Sequence, residues 1–170
     1  MSVLSDQPHV GAAPRTRAVA ALYTPEQRRR RDSTTWTLVQ GILAPLQFVV
    51  FLISLALVLR YLAFDTGYVA ATWSIVIKTG LLLTIMVTGA IWEKVVFGQY
   101  LFAPAFFWED VFSFAVIGLH LLYIFGLGLN LFAPQQLMLI ALAAYAAYVI
   151  NAGQFLWKLR QARLQAEVMP

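Results

Sequence analysis

Glu93, Glu109 and Asp110 are the residues best suited to chemistry in this chain. They bracket a short Gly/Pro break in the stretch IWEKVVFGQYLFAPAFFWED, residues 91–110, among aromatic rings and long apolar runs. Ionisable groups are costly in hydrocarbon and tend to stand where function needs them. Carboxyls gathered at such a place suit general acid–base catalysis on an apolar substrate. A structural reading competes. Glu109 and Asp110 open a helix, where acids stabilise the positive dipole end. Glu93 has Lys94 beside it, but adjacent helical residues do not face one another.

Other polar residues fall into stripes. Gln40, Gln47 and Ser54 recur every seven residues, and Glu109, Ser113 and His120 share a second helical face. Asn151, Gln154 and Lys158 form a third group, and Thr88 stands near Glu93. Gln40, Glu93, Glu109, Asp110, Asn151 and Gln154 lie near one set of helix ends, with Gln47 and His120 deeper. The expected shape is a cup, polar at its mouth and apolar below, for a large flat apolar ligand with a few polar handles. The Gln and Asn stripes can equally be glue between helices. A lone buried histidine is more often a packed core residue than a ligand. Lys78 is expected to snorkel to the far interface.

The elements that must position these groups are membrane helices. Of 170 residues, 61% are hydrophobic and 12% charged, with no cysteine, and the mean hydropathy is +0.73. That composition belongs to an all-α integral membrane protein. Four spans are expected at about 36–62, 69–97, 108–130 and 135–157, with tryptophans near their ends. They form one bundle within a single domain, 23–170. The YTPEQRRRRD segment reads as a short interfacial helix capped by Thr24, with Pro25 in its first turn. Residues 1–22 read as a disordered tail without the apolar core of a signal peptide. Pro45 is expected to kink span one, and 98–107 to fold back over the bundle as an apolar loop.

The net charge of +4 does not signal nucleic acid, because the basic residues cluster in the tails beside apolar spans. An even number of spans joins two basic tails, so both termini are expected in the cytoplasm. Phosphate loops, HExxH and Ser/His/Asp arrangements are absent. Only one histidine lies in a span, which excludes bis-histidine haem ligation within the chain.

The stretch IWEKVVFGQYLFAPAFFWEDVFS, together with YTPEQRRRRDSTTWTLVQGILAPLQFVVFL, closely resembles the 3-vinyl (bacterio)chlorophyllide hydratase family, BchF. The family's older name is 2-vinyl bacteriochlorophyllide hydratase. The resemblance runs from about Tyr23 to Trp157. It implies addition of water across the C3 vinyl group of a chlorin, giving a 3-(1-hydroxyethyl) product in bacteriochlorophyll biosynthesis. No separate cofactor is implied, since the substrate carries its own Mg²⁺. The setting implied is a bacterial inner or intracytoplasmic photosynthetic membrane. Homo-oligomerisation and contact with other pigment-biosynthesis enzymes stay open.

Such hydration needs a proton for the terminal vinyl carbon and an acceptor to hold the attacking water. Glu93 and Glu109, ending and starting consecutive spans, are expected to meet across the loop, with Asp110 beside them. Gln40, Gln47, His120, Asn151 and Gln154 are expected to bind substrate. Phe106 and Trp108 would line the ring faces. His120 is a candidate axial ligand to the substrate Mg²⁺, with Gln47 and water as competitors. Arg or Lys at the rim would pair with the substrate propionate. A non-catalytic pigment carrier and a quinone- or lipid-binding subunit are the rival readings.

Overall fold

The computed structural model describes residues 22–168, with side chains to residue 164. The tail expected over 1–22 lies outside them apart from Leu22. Five helices follow: α1 Pro25–Ser33, α2 Thr35–Phe64, α3 Tyr68–Phe97, α4 Phe107–Gly128 and α5 Pro134–Val168. All but α1 are long and apolar enough to cross a membrane.

Local sequence explains most boundaries. Thr24 Oγ1 accepts from the Gln27 amide at 3.2 Å, while Gln27 Oε1 accepts from the Thr24 amide at 2.9 Å. That reciprocal cap and Pro25 start α1 where expected. Asp65, Gly67, Gly98 and Asn130 hold left-handed conformations at the turns, residue types that tolerate them best. Pro45 sits inside α2, which continues on both sides of it. The last helix runs past its expected end at residue 157. KLRQARLQAE contains neither Gly nor Pro and consists largely of strong helix formers.

Two antiparallel hairpins, α2–α3 and α4–α5, pack through α2 on α5 and α3 on α4. In the half away from α1 the hairpins close on a core that includes Phe51, Val58, Ile75, Val116, Tyr123 and Met138. Gly126 is required there, because a Cβ would stand 2.5 Å from the Phe132 ring. Leu52, Ile53, Ile77, Leu122, Phe125 and Ile150 stay exposed, an apolar exterior that hydrocarbon would solvate.

The cup is not apolar below. Ser54 Oγ contacts Tyr145 Oη at 2.5 Å and Ser74 Oγ at 2.6 Å. Lys78, expected to snorkel outward, is fully buried, with Nζ 3.8 Å from the Tyr148 ring centroid. It falls on the bundle-facing side of α3, about 15 Å from that helix's start. There the faces of Tyr148, Phe51 and Tyr145 supply cation–π contact in place of water.

At the opposite end the hairpins separate, and α1 is seated beside the gap. Tyr23 stacks on Phe97 at 5.7 Å and leans on Phe106 at 6.4 Å. Thr37 Oγ1 donates to the Arg31 carbonyl at 2.6 Å and accepts from Trp92 Nε1 at 2.9 Å. Three elements are thereby fixed around one opening.

Candidate active site

The loop between α3 and α4 folds back into the bundle. Ala103 and Phe106 are buried, and Phe102 takes a left-handed conformation with φ 59°. That conformation is unfavourable for a bulky residue. It turns two consecutive amides toward the helix ends. Phe102 N–H donates to Asp110 Oδ2 at 2.6 Å, and Ala103 N–H donates to Glu93 Oε2 at 3.1 Å.

The same turn sets the Glu93 and Asp110 carboxyls near each other, each anchored by one of these two amides. Both are buried, 5% and 4% exposed. Two like charges buried side by side are costly, which suits the pair to handling a proton.

The carboxyl that shares the loop amides with Glu93 is therefore that of Asp110, where the sequence pointed to Glu109. Glu109 turns to α5, where Lys158 Nζ lies 2.6 Å from its Oε2 and also donates to the Ala105 carbonyl. The reason lies in helical register. Ser113 neighbours both acids, one at i−4 and the other at i−3. The face carrying Asp110, Ser113 and Ile117 is the one that opens on the gap.

That gap is a cavity of about 1120 Å³ between the hairpins. Pockets for drug-sized ligands occupy about 300–1,000 Å³, so this one suits something larger. Its wall includes Glu93 and Asp110, with Gln40, Gln47, Asn151 and Phe106 from the expected binding residues. Gln40 Nε2 is held by Thr88 Oγ1 at 2.8 Å, and Asn151 Nδ2 by Ser113 Oγ at 2.9 Å. Gln47 is buried on the wall, and its Nε2 has no hydrogen-bond partner.

Four expected site residues are not on this wall. Glu109 is one. Trp108 points outward and is 66% exposed. Gln154 is half-buried, with Oε1 unpartnered. His120 lies deeper, its Nδ1 2.8 Å from the Val116 carbonyl and its ring beside Tyr145. Its Nε2 is buried without a partner. His120 therefore does not contribute to this wall.

The family model for 2-vinyl bacteriochlorophyllide hydratase (BCHF) matches residues 23–161, which take in α1, the carboxyl pair, the loop and most of the cavity wall. This chain belongs to that family. A 2-vinyl bacteriochlorophyllide hydratase of Cereibacter sphaeroides is 71% identical over 95% of this chain and 98% of its own length. One from Rhodobacter capsulatus is 70% identical over 91% of this chain and 90% of its own. No solved structure matches.

Within this family member, the sequence missed the groups nearest the opening. Arg28, Arg31, Asp32 and Arg163 all line the cavity. The sequence marked the basic tails as topology signals and offered rim Arg or Lys to the propionate without saying which. Their i, i+3 and i+4 spacing on α1 shows that three of them share a face. Which way that face turns is settled by Tyr23, through its packing on Phe97 and Phe106.

Proposed function

We propose that this chain hydrates the vinyl group of a vinyl bacteriochlorophyllide or chlorophyllide, with Glu93 and Asp110 as the proton-transferring pair. The single observation that carries the residue assignment is the pair of buried carboxyls, clamped by adjacent loop amides on the wall of a cavity large enough for a macrocycle. A pure carrier has little use for two acids there.

The chemistry follows from the pair. The shared proton goes to the terminal vinyl carbon, forming a C–H bond and leaving a cation at the inner carbon, delocalised into the ring. Water attacks that carbon through oxygen and returns one proton to the pair. The catalyst ends as it began, and the substrate has gained one water. While the proton is on the substrate, both carboxylates are charged. The Phe102 and Ala103 amides then strengthen their hold, as preorganised donors do for developing negative charge.

Gln47 offers an uncommitted amide to the ring, its polar substituents or a water on its metal. Phe106 presents an apolar face, and Gln40 and Asn151 complete the polar wall. This reading invokes no cofactor beyond the pigment's own Mg²⁺, since the acid pair supplies the proton and water the nucleophile. The bundle sits in the inner or photosynthetic membrane with both termini and the 98–107 loop cytoplasmic. Helix α1 then lies at the membrane surface beside the opening.

The test is to incubate detergent-purified protein with a 3-vinyl chlorophyllide and no additive. A mass gain of one water and a blue-shifted red absorption band are expected. Pigment that binds but returns unaltered would favour the carrier.

A further inference from the structure

Two arginines at the opening are left free where their neighbours are engaged. In the Arg28–Arg31 run, Arg29 and Arg30 turn to Glu26 at 3.6 and 3.1 Å. Arg31 lies over the Tyr23 ring at 4.8 Å and pairs with Asp32 at 2.7 Å. Among the described residues, the Arg28 guanidinium has no ion-pair or hydrogen-bond partner, although the residue is half-buried on the cavity wall. Arg163 is likewise unpartnered among the described residues and lines the same cavity from α5.

The two helices that carry them are held together. Ala162, next to Arg163, packs on the cluster of Tyr23, Val96 and Phe106, which also seats α1. The cationic groups on the wall are thus Arg28, Arg31 and Arg163, all from segments at the opening, with Asp32 the one acid that α1 contributes to it. The catalytic acids stand on other helices. An apolar cavity whose opening carries unpaired guanidinium groups suits a ligand with an apolar body and a terminal carboxylate, because a guanidinium can grip a carboxylate with two parallel hydrogen bonds.

We propose that Arg28 and Arg163 bind the free propionate carboxylate of the pigment and so select the acid over its esters. The inference rests on the proposed pigment substrate and adds to it a reason for accepting a "-ide" and rejecting esterified chlorophylls. The propionate held at the opening leaves the ring in the cavity, with its vinyl edge free to reach Glu93 and Asp110.

The experiment uses the full chain in detergent, with 3-vinyl chlorophyllide and its methyl ester as paired ligands. Binding and kcat/KM are measured for the parent, Arg28→Gln, Arg163→Gln, the double variant and Arg28→Lys. The parent should prefer the acid by about tenfold or more. Each Gln variant should shrink that ratio, the double variant should bring it near unity, and Arg28→Lys should fall between. The ratio is insensitive to a general loss of folded protein. A parent that hydrates acid and ester equally, or a double variant that keeps the parental preference, overturns the arginine assignment and leaves the hydratase intact. A parent that binds the acid selectively but hydrates neither ligand overturns the hydratase and leaves the arginines standing. Should the Gln variants lose only association with anionic vesicles, the arginines serve lipid phosphate and the proposal is overturned.

Discussion

Glu93 and Asp110 accept hydrogen bonds from adjacent amides of one loop, Ala103 at 3.1 Å and Phe102 at 2.6 Å. Each carboxyl comes from a different helix, so the loop acts as a clamp that sets their separation. The clamp depends on the left-handed Phe102. Backbone strain of this kind persists only where its surroundings enforce it. Stacking of Phe102 on Phe114 and its contact with Phe107 supply that enforcement.

Asp110 should matter more to turnover than Glu109, despite their adjacency. An Asp110→Asn variant keeps an oxygen for the Phe102 amide but cannot share a proton as an acid. It should lose at least about tenfold in turnover, in line with the 10²–10⁴ typical of acid–base groups. Glu109→Gln should lose less. Initial rates at saturating pigment decide the order, and the reverse order would return the pair to Glu93 and Glu109.

The Glu109–Lys158 bridge is structural in this account. Its side chains are 6% and 22% exposed, so removing one partner strands a largely buried charge. Lys158→Met alone should destabilise by about 3–5 kcal/mol. Glu109→Gln with Lys158→Met should recover much of that loss. Thermal melts of the detergent-solubilised proteins measure it, and additive losses would mean that the two side chains are not coupled.

His120→Ala should weaken binding of Mg-containing and metal-free pigment equally. The side chain stands off the cavity wall with Nδ1 turned to Val116. Binding titrations with both pigments provide the comparison. A loss confined to the Mg-containing ring would restore an axial bond and require α4 to move.

Topology has its own test. Reporter fusions after Phe64 and Pro134 should be exported, and one after Pro170 should stay inside. The basis is the pair of basic tails joined by four spans. An exported C-terminal reporter would put the opening on the wrong side for a cytoplasmic substrate.

The fold was largely legible because hydrophobic runs, caps and turn residues are local signals. Thr24, Pro25, Gly67 and Gly98 mark ends that the structure keeps. The end of α5 was not legible at residue 157, since hydropathy falls there while helix propensity does not. The candidate site was legible in composition but not in pairing. Glu109 and Asp110 are about 100° apart on one helix, and only the packing of α4 on α5 decides which turns to Lys158. Lys78 was misread because periodicity cannot say which face of a fully apolar helix meets aromatic rings.

The most direct test of the carboxyl pair is the hydration rate of a Glu93→Gln/Asp110→Asn double variant with bound pigment, compared with each single variant. Residues that share one proton act as a unit, so their losses do not add. The double variant should bind 3-vinyl chlorophyllide, hydrate it at least about a hundredfold more slowly than the parent, and be little worse than the weaker single variant. Hydration by the double variant at the parental rate would contradict the account.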